Sequence, residues 1–378
     1  MKYDCQKLTD LIKSSRETKA DFDKLLERNK ATELFNLQKK MLKEISPAFA
    51  FCYWRDFECK YQEQQSMTLD NDEIAISLSD DGKQLIRCNS YGSRIVIENI
   101  GLDKNQSQSE SAEINLGSGP NFNQNVLKAP VLPFVDQAGK RYLVAIVGTN
   151  MSNYRSLHLY QQNFGKEYGS GYSIEIVQDL QIFRLNPDRA DLMVAGSTSG
   201  EVGQFTFSNH PANIDPFAHD GEEIKSGTRK LEFLPGGRYL VSLHENFKMY
   251  LWDFEQKKLV SRLPIMSREF AVNPVKPAEI FYCPAADIRV FDIKTLEDRR
   301  LSDDIALTSA LRCDPSGKFL LAGSLSTGGA VILDTETGGK VGELKGGAFG
   351  VTESILISKA GFVVTGSAQG YSVFGKIK

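Results

Sequence analysis

Leu231-Glu-Phe-Leu-Pro-Gly-Gly-Arg-Tyr-Leu-Val-Ser-Leu-His244, followed by Met249-Tyr-Leu-Trp-Asp253, is a phrase that the chain repeats twice more. Each copy reads as a short apolar strand, a Pro/Gly turn, a second strand, a polar turn and a third strand that ends in an acid. The three copies end at Asp253, Asp292 and Asp334, which gives periods of 39 and 42 residues. A period of this length is typical of repeat architectures, so the 378 residues are expected to form one repeated body.

Weaker copies extend the pattern in both directions and bring the total to seven units. Their third strands are predicted at 95–98, 157–160, 204–207, 250–253, 289–292, 331–334 and 372–375. Two polar insertions, 103–124 and 209–223, stretch the early spacing and are predicted to be surface loops. The sequence leaves open whether units one to three are complete four-stranded sheets.

Small antiparallel units cannot each bury their apolar faces alone, so a radial, closed arrangement is expected. The last predicted strand runs almost to Lys378, so unit seven lacks a fourth strand. The aromatic-rich segment 49–60 is predicted to supply that strand, and 64–72 is predicted to be a polar connector.

The Trp-Asp at 252–253, Phe-Asp at 291–292, Leu-Asp at 333–334 and Asp-Pro-Ser-Gly at 314–317 resemble the repeats of WD40 β-propellers. The resemblance covers roughly residues 70–378 and implies a mainly β fold, a seven-bladed WD40-like propeller over 47–378. The Gly-His pair and the Asp/His/Ser/Trp network of the family are not evident, so the chain is similar to a degenerate member.

Residues 1–46 differ from the rest, because their apolar residues recur at helical spacing until Ser46-Pro47. They are predicted to form an α-helical extension. One interpretation is a helical hairpin packed on the main body, and the other is a coiled-coil or docking segment for self-association or a partner.

Composition excludes several function classes. Lys+Arg number 45 against 48 Asp+Glu, so there is no global basic field and nucleic acid is not expected as a direct ligand. No apolar run is long enough to span a bilayer, so no membrane insertion is expected. The six scattered cysteines suit a reducing compartment, which predicts a cytoplasmic location with the nucleus as the alternative.

The sequence shows no assembled chemistry. The four histidines share no ligand motif, no phosphate loop is present, and no acids are found at matching positions of several first strands. We therefore predict no metal, no cofactor and no catalytic residue, and expect that the protein is not an enzyme.

The remaining prediction is surface recognition by the turns between second and third strands. These turns carry Tyr91, Tyr154, Arg155 and Phe247, residue types that often dominate binding energy. The sequence predicts a non-catalytic scaffold or adaptor that binds a peptide or protein there and is tethered through its N-terminal helices. The alternatives are a propeller enzyme or small-ligand binder that uses the central channel, and a subunit of a ribonucleoprotein or ubiquitin-ligase assembly.

Overall fold

The computed structural model describes nineteen segments of the chain, and every structural statement below concerns them. They are residues 61–68, 74–78, 84–89, 94–99, 112–115, 125–127, 132–135, 141–149, 155–161, 172–176, 180–186, 192–206, 215–219, 224–303, 308–324, 329–344, 354–357, 363–367 and 370–376. The predicted helices of 1–46 and the predicted closing strand 49–60 lie outside these segments.

The described residues form 29 strands and no helix, so none of them belongs to a helix that could cross a membrane. The first fourteen strands are β1 (Tyr61–Thr68), β2 (Ile74–Leu78), β3 (Gln84–Asn89), β4 (Arg94–Asn99), β5 (Ala112–Asn115), β6 (Asn125–Leu127), β7 (Leu132–Val135), β8 (Arg141–Thr149), β9 (Arg155–Gln161), β10 (Tyr172–Ile176), β11 (Leu180–Leu185), β12 (Leu192–Ser197), β13 (Val202–Thr206) and β14 (Asp215–Pro216). The others are β15 (Thr228–Phe233), β16 (Tyr239–His244), β17 (Lys248–Asp253), β18 (Lys258–Met266), β19 (Glu269–Val272), β20 (Glu279–Cys283), β21 (Ile288–Asp292), β22 (Asp298–Ser302), β23 (Thr308–Cys313), β24 (Phe319–Ser324), β25 (Ala330–Asp334), β26 (Lys340–Leu344), β27 (Ser354–Ile357), β28 (Val363–Ser367) and β29 (Gly370–Lys376).

Within the described segments, these strands form seven antiparallel sheets. Five are sequential: β2–β5, β11–β14, β15–β18, β19–β22 and β23–β26. A sixth orders its strands β10-β9-β8-β6, with β7 also paired to β8. The predicted second and third strands of all seven units coincide with paired strands of these sheets. The seventh sheet has the order β1-β29-β28-β27 and so joins an early strand to the end of the chain.

The strand that completes the seventh sheet is Tyr61–Thr68, which pairs antiparallel with Gly370–Lys376. The prediction that 64–72 is a polar connector is therefore wrong for residues 64–68. The segment Tyr61–Thr68 contains too few apolar residues for the sequence to predict a strand there. It forms a strand through its pairing with the last strand of the chain.

Both predicted insertions also contribute strands. Residues 112–115 form β5, which pairs with β4, and Asp215–Pro216 form β14, which pairs with β13. Phe217 follows β14 and is buried, with its ring 6.1 Å from that of Trp252 in the next sheet. The loop predictions are wrong at these points, because strands of four and two residues gain their stability from the sheet edge they cover.

The first strands link the sheets into a cycle. The strand β11 contacts β8 and β15, and the contacts continue through β19, β23 and β27 to β2, which contacts β7. Since β7 and β8 belong to one sheet, the series returns to its beginning.

The hydrophobic core lies between the faces of successive sheets. Buried side chains of β16 and β17 pack against those of β19 and β20, and the same arrangement repeats between later pairs of sheets. The largest fully buried residues are Trp252, Tyr250, Phe183, Phe270, Phe281, Phe291, Phe319, Phe374 and Leu85. Burying aromatic rings between sheets is the main stabilising contribution expected for such a body.

The acid that ends the third strand of the quoted phrase has a structural role. Asp253, Asp292 and Asp334 each accept, through the side chain, the backbone N–H three residues later, at 2.8–2.9 Å. This side-chain bond replaces a backbone bond in the turn to the fourth strand. The repeated acid is therefore a turn-forming residue.

Candidate functional site

Five charged side chains lie together on the first strands of four successive sheets. They are Arg184 on β11, Lys230 and Glu232 on β15, Glu269 on β19 and Arg312 on β23. We call them the inner charged cluster. The sequence analysis missed it, because its residues come from four strands that are distant in sequence and only the cyclic arrangement brings them together.

Glu232 is the centre of the inner charged cluster and is buried. Its carboxylate accepts from Nη1 of Arg312 at 3.1 Å and from the backbone N–H of Val272 at 3.1 Å, and Nζ of Lys230 lies 3.4 Å away. Burial alone would raise the pKa of Glu232, but Lys230, Arg312, Arg184 and the Val272 bond together hold that pKa below its usual value. Glu232 is thus ionised at neutral pH and is not a general acid.

Lys230 is fully engaged. Its ammonium forms an ion pair with Glu269, donates to the carbonyl of Phe270 and lies 5.0 Å from the centre of the Phe270 ring. An ammonium has three donors. Since Glu269, Phe270 and Glu232 surround it, Lys230 has little capacity left for a ligand.

Arg184 differs from the other two cations. Its Nη1 donates a hydrogen bond to the carbonyl of its neighbour Phe183, at 3.0 Å. Within the described residues, no carboxylate lies within ion-pair distance of its guanidinium. Burial lowers the pKa of Arg184, Glu232 opposes that effect and Arg312 adds to it. Arg184 is therefore a partly buried cation near a second cation, and among the described residues its guanidinium has one hydrogen-bond acceptor, the Phe183 carbonyl.

Arg184, Glu232 and Arg312 line a cavity of about 460 Å³. Its remaining walls come from the first strands and the following turns of five sheets: Leu185, Phe233, Leu234, Pro235, Gly236, Val272, Pro274, Cys313, Pro315 and Ile357. The cavity thus lies where first strands end, is open to solvent on one side and is lined mainly by apolar side chains. This size, with a few converging polar groups, is typical of small-molecule sites.

The four predicted rim residues are not brought together in the described structure. Tyr91 and Tyr154 lie outside the described residues, and Arg155 is the first residue of β9, with its side chain outside them. Phe247 lies in the turn between β16 and β17 and is 39% exposed. That turn is at the opposite end of β16 from Gly236, so Phe247 and the cavity lie on opposite rims of their sheet.

The backbone of Phe247 is strained, with φ of 64°. Bulky residues rarely adopt this left-handed conformation. The turn is held by the Phe247 N–H, which donates to the carbonyl of His244 at 2.9 Å, and by the Lys248 N–H, which donates to the Asn246 side chain at 3.1 Å. The Ser267 N–H donates to the carbonyl of Phe247 at 2.9 Å, which places Met266, 53% exposed, beside it.

A buried hydrogen-bonded chain lies in the same sheet. Trp252 Nε1 donates to Ser242 Oγ at 2.8 Å, and Ser242 Oγ lies 2.9 Å from Nε2 of His244. The other ring nitrogen of His244 lies 2.7 Å from the carbonyl of Ser226, which can only accept, so that nitrogen carries the proton. The sequence analysis expected the Asp/His/Ser/Trp network to be absent, and this sheet contains a shorter Trp/Ser/His chain that ends on a backbone carbonyl instead of an aspartate. The histidine comes from the end of the second strand, a position that the sequence analysis did not consider.

Among the described residues, candidate metal ligands do not cluster, and Cys283 and Cys313 are buried. The described residues contain no group of three His, Cys, Asp or Glu side chains that could hold a metal. Burial raises the pKa of Cys283 and of Cys313, so both buried thiols are protonated and are poor nucleophiles. Glu232 and Glu269 both contact Lys230, although they occupy different positions of their strands, Glu232 opposite Val241 and Glu269 opposite Cys283. Their partners make them ion-pair residues.

No protein-family model matches the chain, and no curated protein matches it. The interpretation therefore depends on the geometry described above.

Proposed function

We propose that the chain is a seven-bladed, WD40-like β-propeller that acts as a non-catalytic protein–protein interaction scaffold. The observation that carries the proposal is the cycle of contacts between the first strands, closed by the pairing of β1 with β29. A closed set of sheets has short, protected edges and presents its turns on two rims. Rigid bodies with exposed turns are suited to binding other proteins.

Two local features support the propeller interpretation. The Trp252–Ser242–His244 chain ties the second and third strands of one sheet to the segment before its first strand. The repeated turn-forming acids Asp292 and Asp334 occupy equivalent positions in two later sheets. Both features fit the resemblance to WD40 repeats.

The proposed docking surface includes Phe247 and Met266, two exposed apolar side chains on paired backbone. Strained residues of this kind are more frequent at binding sites. We assign Tyr91 and Tyr154, whose sequence positions fall between second and third strands, and Arg155, the first residue of a third strand, to the same rim. The partner is a peptide or a protein domain with an apolar anchor, in the cytoplasm or the nucleus.

The N-terminal residues 1–46 are proposed to tether the scaffold, either through self-association or to another subunit. Their helical periodicity is the support for this assignment.

The test is affinity capture with quantitative mass spectrometry. The full chain is compared with the Phe247→Ser/Met266→Ser double variant and with a control, Val275→Ser/Leu296→Ser, which removes two exposed apolar side chains elsewhere. The proposal predicts that at least one partner is lost only from the first variant. Identical partner sets for all three proteins would refute the docking surface.

A truncation to residues 47–378 tests the tether separately. Its mass in solution is compared with that of the full chain by light scattering. A lower oligomeric state after truncation supports self-association, and an unchanged one assigns the segment to another partner or to packing on the body.

A further inference from the structure

The inner charged cluster has an unbalanced charge. It contains three cations, Arg184, Lys230 and Arg312, and two carboxylates, Glu232 and Glu269. The other first strands of the cycle add no charge, because β2 reads Ile-Ala-Ile-Ser-Leu, β7 reads Leu-Pro-Phe-Val and β27 reads Ser-Ile-Leu-Ile. Among the described residues, these charges leave one positive charge in excess at the cavity.

That excess lies on Arg184. Glu269 is paired with Lys230, and Glu232 is shared between Lys230 and Arg312. Both carboxylates therefore have nearer partners than Arg184, whose donors point to no carboxylate among the described residues. A partly buried guanidinium without a counter-charge is costly, because it has lost water without gaining an anion.

We propose that the cavity binds a small molecule through an oxyanion, a phosphate or carboxylate group, held by Arg184 and Arg312. The planar guanidinium fork matches both groups by paired, charge-assisted hydrogen bonds. The apolar walls, including Leu185, Val272 and Ile357, cover the uncharged part of the ligand. Glu232 stays ionised between its partners and accepts a hydroxyl or amine of that part.

The site is separate from the docking surface proposed above. Gly236, Pro274 and Pro315 at the cavity belong to turns between first and second strands, whereas Phe247 belongs to a turn between second and third strands. Ligand binding and partner binding can therefore succeed or fail independently of each other.

The test is thermal unfolding of the full chain in titrations of potassium phosphate and of potassium succinate, each matched in ionic strength with potassium chloride. A ligand that binds the folded state raises the Tm in a saturable way. We expect phosphate, succinate or both to raise the Tm above the chloride control. The two titrations distinguish a phosphate site from a carboxylate site.

The decisive variant is Arg184→Met, with Arg300→Met as the matched control on an exposed outer strand. Loss of a charge-assisted pair is expected to weaken binding at least about tenfold in Arg184→Met. Arg300→Met should retain the response. Without added anion, Arg184→Met should unfold at the same or a higher Tm, because an unpaired cation has been removed. If Arg184 had only a structural role, Arg184→Met would lower the Tm without added anion and would leave the anion response unchanged.

Arg184→Lys covers the case in which the methionine variant does not fold. It keeps the charge but loses the fork, so it should retain a Tm response with several-fold weaker affinity. No anion response in the wild-type chain, or an equal response in wild type and the Arg184 variants, would overturn the proposal.

Discussion

Glu232 on β15 accepts a hydrogen bond from the backbone N–H of Val272 on β19, at 3.1 Å, and so joins the first strands of two neighbouring sheets. The same carboxylate binds Arg312 from a third sheet. One buried acid thus connects three successive members of the cycle.

Replacing Glu232 by alanine is expected to destabilise the protein by about 2–3 kcal/mol, because it removes the carboxylate that Arg312 and Lys230 share and leaves the Val272 N–H without an acceptor. The free energy of unfolding from urea titration gives the measurement. Asp215→Ala is the control, since the Asp215–Lys257 pair is exposed and should contribute about 1 kcal/mol or less. Equal losses in the two variants would contradict this role for Glu232.

Stability should fall in mild acid because of His244. Burial lowers the pKa of His244 below its ordinary value of 6.5. As the pH falls below about 6.5, the unfolded chain binds a proton at His244 that the folded chain does not. The free energy of unfolding therefore keeps its full value above that pH and decreases below it. Each unit by which the His244 pKa is lowered corresponds to a decrease of about 1.4 kcal/mol in the free energy of unfolding at low pH.

Urea titrations between about pH 7.5 and about pH 5.5 check this dependence. The dependence of the free energy of unfolding on pH should become weaker in His244→Gln. It should persist in His219→Gln, which replaces an exposed histidine. An unchanged slope in His244→Gln would assign the acid sensitivity to other groups.

Gly338 should tolerate no side chain. Its φ is 70°, and a Cβ built there would lie 1.7 Å from the carbonyl oxygen of Leu301 in the preceding sheet. Gly338→Ala is expected to cost about 3 kcal/mol or more, from strain and overpacking together. Gly236 has φ of 90° with open space around a Cβ, so Gly236→Ala should cost only about 1 kcal/mol. Gly236→Ala reports the backbone strain alone, and Gly338→Ala reports strain together with the clash. Similar decreases in the melting temperature of the two variants would refute the predicted clash.

At Leu296, replacing the side chain by glycine is expected to stabilise the protein. Leu296 occupies the same position after Asp292 that Gly338 occupies after Asp334, with φ of 61° and a side chain 61% exposed. Leu296→Gly should relieve the left-handed backbone and stabilise the protein by up to about 1 kcal/mol. Chemical denaturation measures it, with Val260→Gly, an exposed residue on β18, as a control that should destabilise.

The sequence predicts the strands well where apolar runs are nearly continuous and turns carry Pro or Gly, as in β16 and β24. It fails at β1, β5 and β14, because these polar strands are defined by a partner strand distant in sequence. The same limit hides the inner charged cluster. Arg184 and Glu232 are distant in sequence, and only the cycle of sheets makes them neighbours. Strain at Phe247 and Leu296 is also invisible in sequence, since it depends on turn geometry.

The central claim is that an early strand closes the cycle by pairing with the last one, and Ser66 lies opposite Ser372 in that pairing. The direct measurement is disulfide formation in the Ser66→Cys/Ser372→Cys variant under mild oxidation, located by peptide mapping. Ser66→Cys/Ser367→Cys is the control, because Ser367 belongs to β28, which is separated from β1 by β29. The account predicts rapid, nearly complete cross-linking of residues 66 and 372 with retained or raised Tm, and little cross-linking in the control. Absence of the 66–372 disulfide, or equal yields in the two variants, would contradict it.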